Sequence, residues 1–218
     1  MPISAQSIIR IAHETLHDVD GVRWPAFELV RYLNIGQREI VRLRPDQKCT
    51  TAPVPLVPGH RQQLPAVAMA LMDIPNNATG RKRRITKVDV LQLDAVSPDW
   101  RSRPGATEIA HFMHDLREPR TFDVFPPAAS GAQVDMSYSL YPVDVPVPVD
   151  GFAASSVSGN IDLPDHWESA LLDYVLFRAY SKDVEFGGNA QMASSYLGMF
   201  NAAVGSQLQS TALVAPKN

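Results

Sequence analysis

Cysteine is nearly absent. Cys49 is the single one in 218 residues, which excludes an intrachain disulfide and a cysteine-built metal cluster. Long apolar runs are missing too: no stretch reaches the roughly 18 residues that a membrane-spanning helix needs. The first residues lack the basic, apolar, small-residue order of a signal peptide, so a protein made in the cytoplasm and making no membrane contact is expected. An excess of one charge is also lacking. Twenty Lys and Arg against 23 Asp and Glu leave a net charge of −3, which gives no general field for gathering nucleic acid. The G-x-S-x-G, P-loop and dinucleotide-binding fingerprints do not occur. What is present is an ordinary globular composition, 45% hydrophobic and 20% charged, in a chain long enough to bury a substantial core.

Proline is plentiful and unevenly spread. Of the 18 prolines, 15 fall between Pro45 and Pro164, while residues 26–44 and 165–215 contain none. Because proline removes a backbone donor and breaks helix interiors, the two clean stretches are where long helices can run. Ser4 can cap a first helix, about 5–17, whose apolar positions Ile8, Ile9, Ala12 and Leu16 recur at helical spacing. Pro25 opens a second, about 25–44, through Leu29, Leu33, Ile40 and Leu43, and the two are expected to pair as a hairpin along one apolar seam. Near the other end, Asp162 and Pro164 precede a helix of about 164–183 with Trp167, Leu171, Tyr174 and Arg178 on one side. After Gly187-Gly188, Ala193, Leu197, Phe200, Val204 and Leu208 mark a helix of about 190–208.

The proline-rich middle, about 50–140, reads as a β insertion. Residues 50–64 suggest an edge hairpin turning at Pro58-Gly59-His60, since proline is tolerated on an edge. Residues 67–73 fit a helical turn or a strand, 76–80 a loop by composition, and 84–93 an imperfectly alternating strand. Residues 112–117, 121–125 and 133–140 suggest an antiparallel meander, and 142–148 an extended connector. The predicted fold class is α+β, mainly helical: a helical bundle built from N- and C-terminal helix pairs, with a central antiparallel β insertion. It forms one domain over 1–208, followed by a flexible tail over 209–218.

Two motifs bear on chemistry. His13-Glu14-Thr15-Leu16-His17 satisfies H-E-x-x-H on a predicted helix, where histidines four apart share a face, can hold zinc, and leave the glutamate to polarise a bound water. The extended form of that motif wants glycine and a third histidine where this chain has Asp20 and Arg23, and Glu28 and Glu39 qualify as third ligands by type only. A zinc peptidase using His13, Glu14 and His17 is therefore the alternative reading, set against a solvated helix face. The second motif is Arg81-Lys82-Arg83-Arg84, a compact basic run that can meet DNA phosphates or dock a partner. Asp89, Asp94 and Asp99 lack metal-site spacing, and His111 and His114 fall on alternate faces of a strand.

Several blocks, taken in order, carry a resemblance. Arg23-Trp24-Pro25 leads into Glu28-Leu29-Val30-Arg31-Tyr32-Leu33-Asn34, then Gln37-Arg38-Glu39-Ile40-Val41 and Arg44-Pro45. Pro58-Gly59-His60-Arg61-Gln62-Gln63-Leu64-Pro65, Leu93-Asp94 with Pro98-Asp99-Trp100, Phe122-Asp123-Val124-Phe125-Pro126-Pro127 and Tyr180-Ser181-Lys182-Asp183 follow. Together, over about residues 8–200, they resemble the phage adaptor proteins that join head to tail. The resemblance implies a virion protein at the head-tail junction, without catalysis or cofactor. It also implies a homo-oligomeric ring of about twelve copies under the portal protein, touching tail or nozzle proteins and passing double-stranded DNA without reading its sequence. By the same resemblance, the C-terminal segment Ser210, Thr211, Ala212, Leu213, Val214, Ala215, Pro216, Lys217 and Asn218 docks on the portal, ordering as it binds.

Overall fold

The computed structural model describes residues 3–115, 117–183 and 187–214, with 206–214 by backbone alone. In chain order it gives α1 (Ala5–Thr15), α2 (Ala26–Leu43), β1 (Cys49–Pro55), β2 (Gly59–Gln63), β3 (Ala68–Asn77) and β4 (Thr86–Lys87). There follow α3 (Val90–Val96), β5 (His111–Met113), β6 (Thr121–Ala128), β7 (Gln133–Leu140), α4 (Glu168–Lys182) and α5 (Asn189–Val214). The expected mainly helical bundle is therefore corrected. Among the described residues, five α-helices accompany seven strands in two sheets, and the β part is a compact unit of its own. One unit comprises Met1–Gln47 with Pro142–Asn218, the other Lys48–Tyr141.

In the helical unit, α4 packs against α1, α2 and α5. The expected hairpin seam between α1 and α2 gives way to this arrangement, in which the two meet each other less than α2 meets α4. The reason lies in α4, which buries Ala170, Leu171, Tyr174, Val175, Leu176 and Ala179 over more than one face, so it serves as the centre of the unit. Trp24, Leu33, Trp167, Tyr174 and Phe200, assigned to the core by their spacing, are all buried. The start of α4 differs in detail. A single 3-10 turn, Asp165–Trp167, comes first, and the Asp162 carboxylate accepts the Val143 N–H at 2.7 Å.

The extended connector after Tyr141 is held by buried polar side chains of α2. Asn34 accepts the Val145 N–H at 2.8 Å and donates to the Val145 carbonyl at 2.9 Å, as a neighbouring β-strand would. Gln37 accepts the Asp162 N–H at 2.7 Å and donates to Asn34 at 3.3 Å. Both side chains are almost fully buried, a placement that is tolerable only because their donors and acceptors find partners.

In the β unit, one sheet runs β1-β7-β3 and the other β2-β6-β5-β4. All pairings are antiparallel except the short β4–β5 pair. The two sheets share one apolar cluster, with Leu71 and Ile74 from β3, Phe122 and Val124 from β6, and Val134 and Met136 from β7. β6 alternates inward and outward from Thr121 to Phe125 and β7 from Gln133 to Tyr138, the pattern of a strand with one buried face.

Several sequence expectations change here. Residues 50–64 form no hairpin, because β1 pairs with β7 and β2 with β6. Prolines 55 and 58 cannot donate to a shared ladder, and the chain crosses between sheets at Leu56–Pro58. Gln62 braces that crossing, accepting from Val57 N–H at 2.9 Å and donating to the Val57 and Gly59 carbonyls at 2.8 and 3.0 Å. The meander holds for β5 and β6, which pair antiparallel, and breaks before β7, since both edges of β6 are occupied by β2 and β5, leaving β7 to the other sheet. Of residues 67–73, which fit either a helical turn or a strand, all but Val67 belong to β3, which continues through Asn76 and Asn77 into the expected loop. The expected strand over 84–93 shrinks to β4. Asp89 accepts the Leu91 N–H at 2.8 Å and so starts α3, an N-cap signal that the irregular alternation concealed.

Candidate interaction surfaces

The H-E-x-x-H pentapeptide is taken apart by the end of α1. The helix stops at Thr15, and the chain turns through His17 at φ 54°. The His17 N–H donates to Glu14 O at 3.2 Å and the Asp18 N–H to His13 O at 3.0 Å, a Schellman closure with His17 in the left-handed position. His17 thus leaves the helical face it was expected to share with His13. His13 itself is 1% exposed, and its Nε2 donates to the Trp24 carbonyl at 2.8 Å. Glu14 lies exposed beside Arg10, 4.0 Å away. These residues build a corner rather than a common ligand set, and among the described residues no group of three or more His, Cys, Asp or Glu is placed to hold a metal.

That corner gathers several of the blocks that carried the resemblance. The Asp18 carboxylate accepts the N–H groups of Val22, Arg23 and Trp24 at 3.0, 2.9 and 2.8 Å. Burial alone would raise its pKa, but the three donors outweigh burial and hold it below the ordinary 3.8. Trp24 Nε1 donates to Ala179 O at 3.1 Å, Arg23 pairs with Asp183, and Lys182 pairs with Glu28. Tyr32 donates to Glu28 at 2.6 Å, and burial together with that carboxylate pushes its phenol up to about 12. The blocks at 23–34 and 180–183 are therefore distant in sequence and joined in space.

A second convergence lies in the β unit. His60 Nδ1 is 3.0 Å from Asp123, and its ring meets Trp100 edge-on at 5.5 Å. Trp100, fully buried, donates to Asp94 at 2.7 Å and meets Phe125 edge-on at 6.3 Å. Arg101 lies over Trp100 at 4.4 Å and pairs with Asp94 at 2.6 Å. That guanidinium, then the Trp100 N–H, holds the Asp94 carboxyl below its ordinary value. Sequence reading found these blocks but missed their common purpose, which is to close the loop after α3 onto the sheet.

Three surfaces remain open. Beside α3 lies a groove of about 740 Å³ lined by Arg61, Val88, Leu91, Met113, Glu118 and Phe122 among others. Helix α3 itself buries none of its residues, leaving Leu91 72% and Val96 85% exposed. The second surface is α5, which over 26 residues carries no Asp, Glu, Lys, Arg or His although much of the stretch 190–202 is exposed. It runs to Val214, into the segment expected to be a flexible tail. Ser210 to Val214 have helical backbone because no proline or glycine interrupts them before Pro216, whereas residues 215–218 lie outside the described residues. The third is the loop carrying Arg81 to Arg84, all four of them exposed.

Structural polar clusters hold each unit, and each leaves an uncharged or apolar helix open to solvent, α5 in one and α3 in the other. The comparison with known families gives the class. The model of the SU10 adaptor protein family matches residues 4–217, so the chain belongs to that family of phage adaptor proteins. Such adaptors are generally structural rather than enzymatic, and membership implies a virion component that meets other head or tail proteins. No curated protein matches the chain. Among the described residues no helix is long and apolar enough to cross a membrane.

Proposed function

We propose that this chain is a head-to-tail adaptor that assembles as a closed ring of about twelve copies under the portal, links capsid to tail, and lines part of the path of double-stranded DNA. The observation that carries the reading beyond family membership is the 26-residue helix α5 without one charged side chain. A helix face left to solvent normally carries charge, whereas the centres of protein interfaces are depleted of it because buried charges cost desolvation. The exposed apolar residues of α3 support the same reading from the other unit. A ring needs two different faces per copy, each meeting the other on its neighbour, and these helices supply two candidates.

The segment Ser210–Asn218 is assigned to portal docking, with residues 210–214 presented as the end of α5 rather than as extended chain. Light scattering and negative-stain imaging of the full chain, alone and with portal, test the ring: a symmetric assembly with portal is expected, and a persistent monomer overturns it. Truncation after Gln209 tests the tail. Loss of portal binding with helical content nearly unchanged is expected, and undiminished binding removes the docking assignment.

A further inference from the structure

The chain has 15 arginines, and twelve of them have a side-chain partner. Arg10, Arg23, Arg38, Arg42, Arg44, Arg61, Arg101 and Arg117 pair with carboxylates. Arg31, Arg103 and Arg178 lie over aromatic rings, and Arg120 donates to backbone carbonyls. The three that have none among the described residues are Arg81, Arg83 and Arg84, adjacent in sequence and accompanied by the equally unpartnered, exposed Lys82. A chain that is net acidic has thus left one loop of consecutive cations with none of their side chains ion-paired among the described residues.

The loop's backbone, in contrast, is fastened. Asn77, fully buried, donates from its side chain to Arg83 O at 3.0 Å and Ile109 O at 2.8 Å, and accepts the Ile109 N–H at 2.7 Å. Its own N–H also donates to Arg83 O at 3.0 Å. The Glu108 carboxylate, which lies against Gly80, accepts the Arg81 N–H at 3.2 Å and so serves the backbone. The turn passes through Gly80 at φ 68° and Lys82 at φ 49°. The cations are held out on an anchored turn, which lowers the ordering cost of contact with a polyanion.

We propose that the loop Arg81–Arg84 is a contact site for the phosphate backbone of duplex DNA. Exposed positions 79–84 offer threonine, glycine and four cations but no apolar or aromatic side chain, so the loop lacks the centre of a protein interface. Arginine and lysine on phosphate oxygens are the usual sequence-independent contacts to duplex DNA, and arginine's planar fork suits them. The assignment stands apart from ring formation, since the charges and their anchoring belong to the single chain.

Fluorescence anisotropy with a labelled random-sequence duplex tests it, using the full chain. If all four cations meet phosphates, log K falls with log salt at a slope of about −3.6, roughly a 150-fold loss between about 50 and 200 mM. The variant Arg81→Ser, Lys82→Asn, Arg83→Ser, Arg84→Ser is expected to abolish that slope, with asparagine chosen because it tolerates positive φ. Arg38→Ser, which removes a cation already paired with Asp144, is expected to leave the slope unchanged. Should the fourfold variant lose its circular dichroism signal, single Arg83→Glu decides instead through a smaller slope and weaker binding. An unchanged slope in the variant, or competition by polyglutamate as effective as by DNA at equal charge, overturns the proposal, the latter in favour of an acidic protein surface. Assembly mass, measured alongside, reports on the ring independently.

Discussion

The two units solve the same problem in opposite ways. The helical unit satisfies its backbone within each helix and spends buried polar side chains, Asn34 and Gln37, on holding an extended connector. The β unit satisfies its backbone across strands that are far apart in sequence, and spends Asn77 and Gln62 on the places where pairing stops or changes sheet. In both units a buried amide side chain stands in for a missing strand or turn partner. A buried carboxamide offers two donors and an acceptor in one plane, and so completes a backbone ladder that nothing else reaches.

The sharpest way to break the helical side of this comparison is Gly21→Ala. Gly21 has φ 67°, and an added Cβ would stand 2.1 Å from the Phe152 carbonyl oxygen, so both backbone conformation and space forbid it. A loss of about 3 kcal/mol is expected in urea unfolding followed by tryptophan fluorescence. Next come Asn34→Ala and Asn77→Ala, each expected to cost about 2 kcal/mol because buried backbone groups lose their partners. Hydrogen exchange separates them. The first should speed exchange at the Val145 amide and the second at the Ile109 amide, and a crossed pattern would break the division into units.

A milder effect is expected from acid. Asp18 is held below its ordinary pKa, so the stabilisation it provides is complete above about pH 4 and is lost as pH falls through its lower folded value. Thermal melts from neutral to acid pH should therefore show a shallower acid decline in Asp18→Asn than in the parent, starting from a lower neutral melting temperature. The smallest expected effect is Arg38→Ala. Its pair with Asp144 is half-exposed on both sides, and removing it should cost under about 1 kcal/mol in the same urea unfolding.

The helices were legible because their period is local, and the proline-free stretches bounded them to within a few residues. The exceptions are instructive. The helical count failed at His17, where a left-handed cap ends α1, and at Ser210 to Val214, where the helix outlasts its apolar spacing. Most strands were legible as strands, yet their partners were not. The sequence of β1 and β2 looks like a hairpin, and only the occupied edges of β6 and β7 show why it is not one. Of the candidate sites, the basic run was visible at once. That its side chains have no ion pair among the described residues was not, because that depends on where the acids of the chain are used.

Sequence alone determined the helix periods, the proline-marked β region and the ordered blocks that identify the family, since each is written in residues close together along the chain. The tertiary structure decided that α4, not an α1–α2 seam, centres the helical unit, that two sheets replace a meander, and that H-E-x-x-H is a turned corner. It also decided which cations stay unpaired. Pairing, burial and charge compensation are settled between residues tens of positions apart, and no local pattern encodes the choice among alternatives.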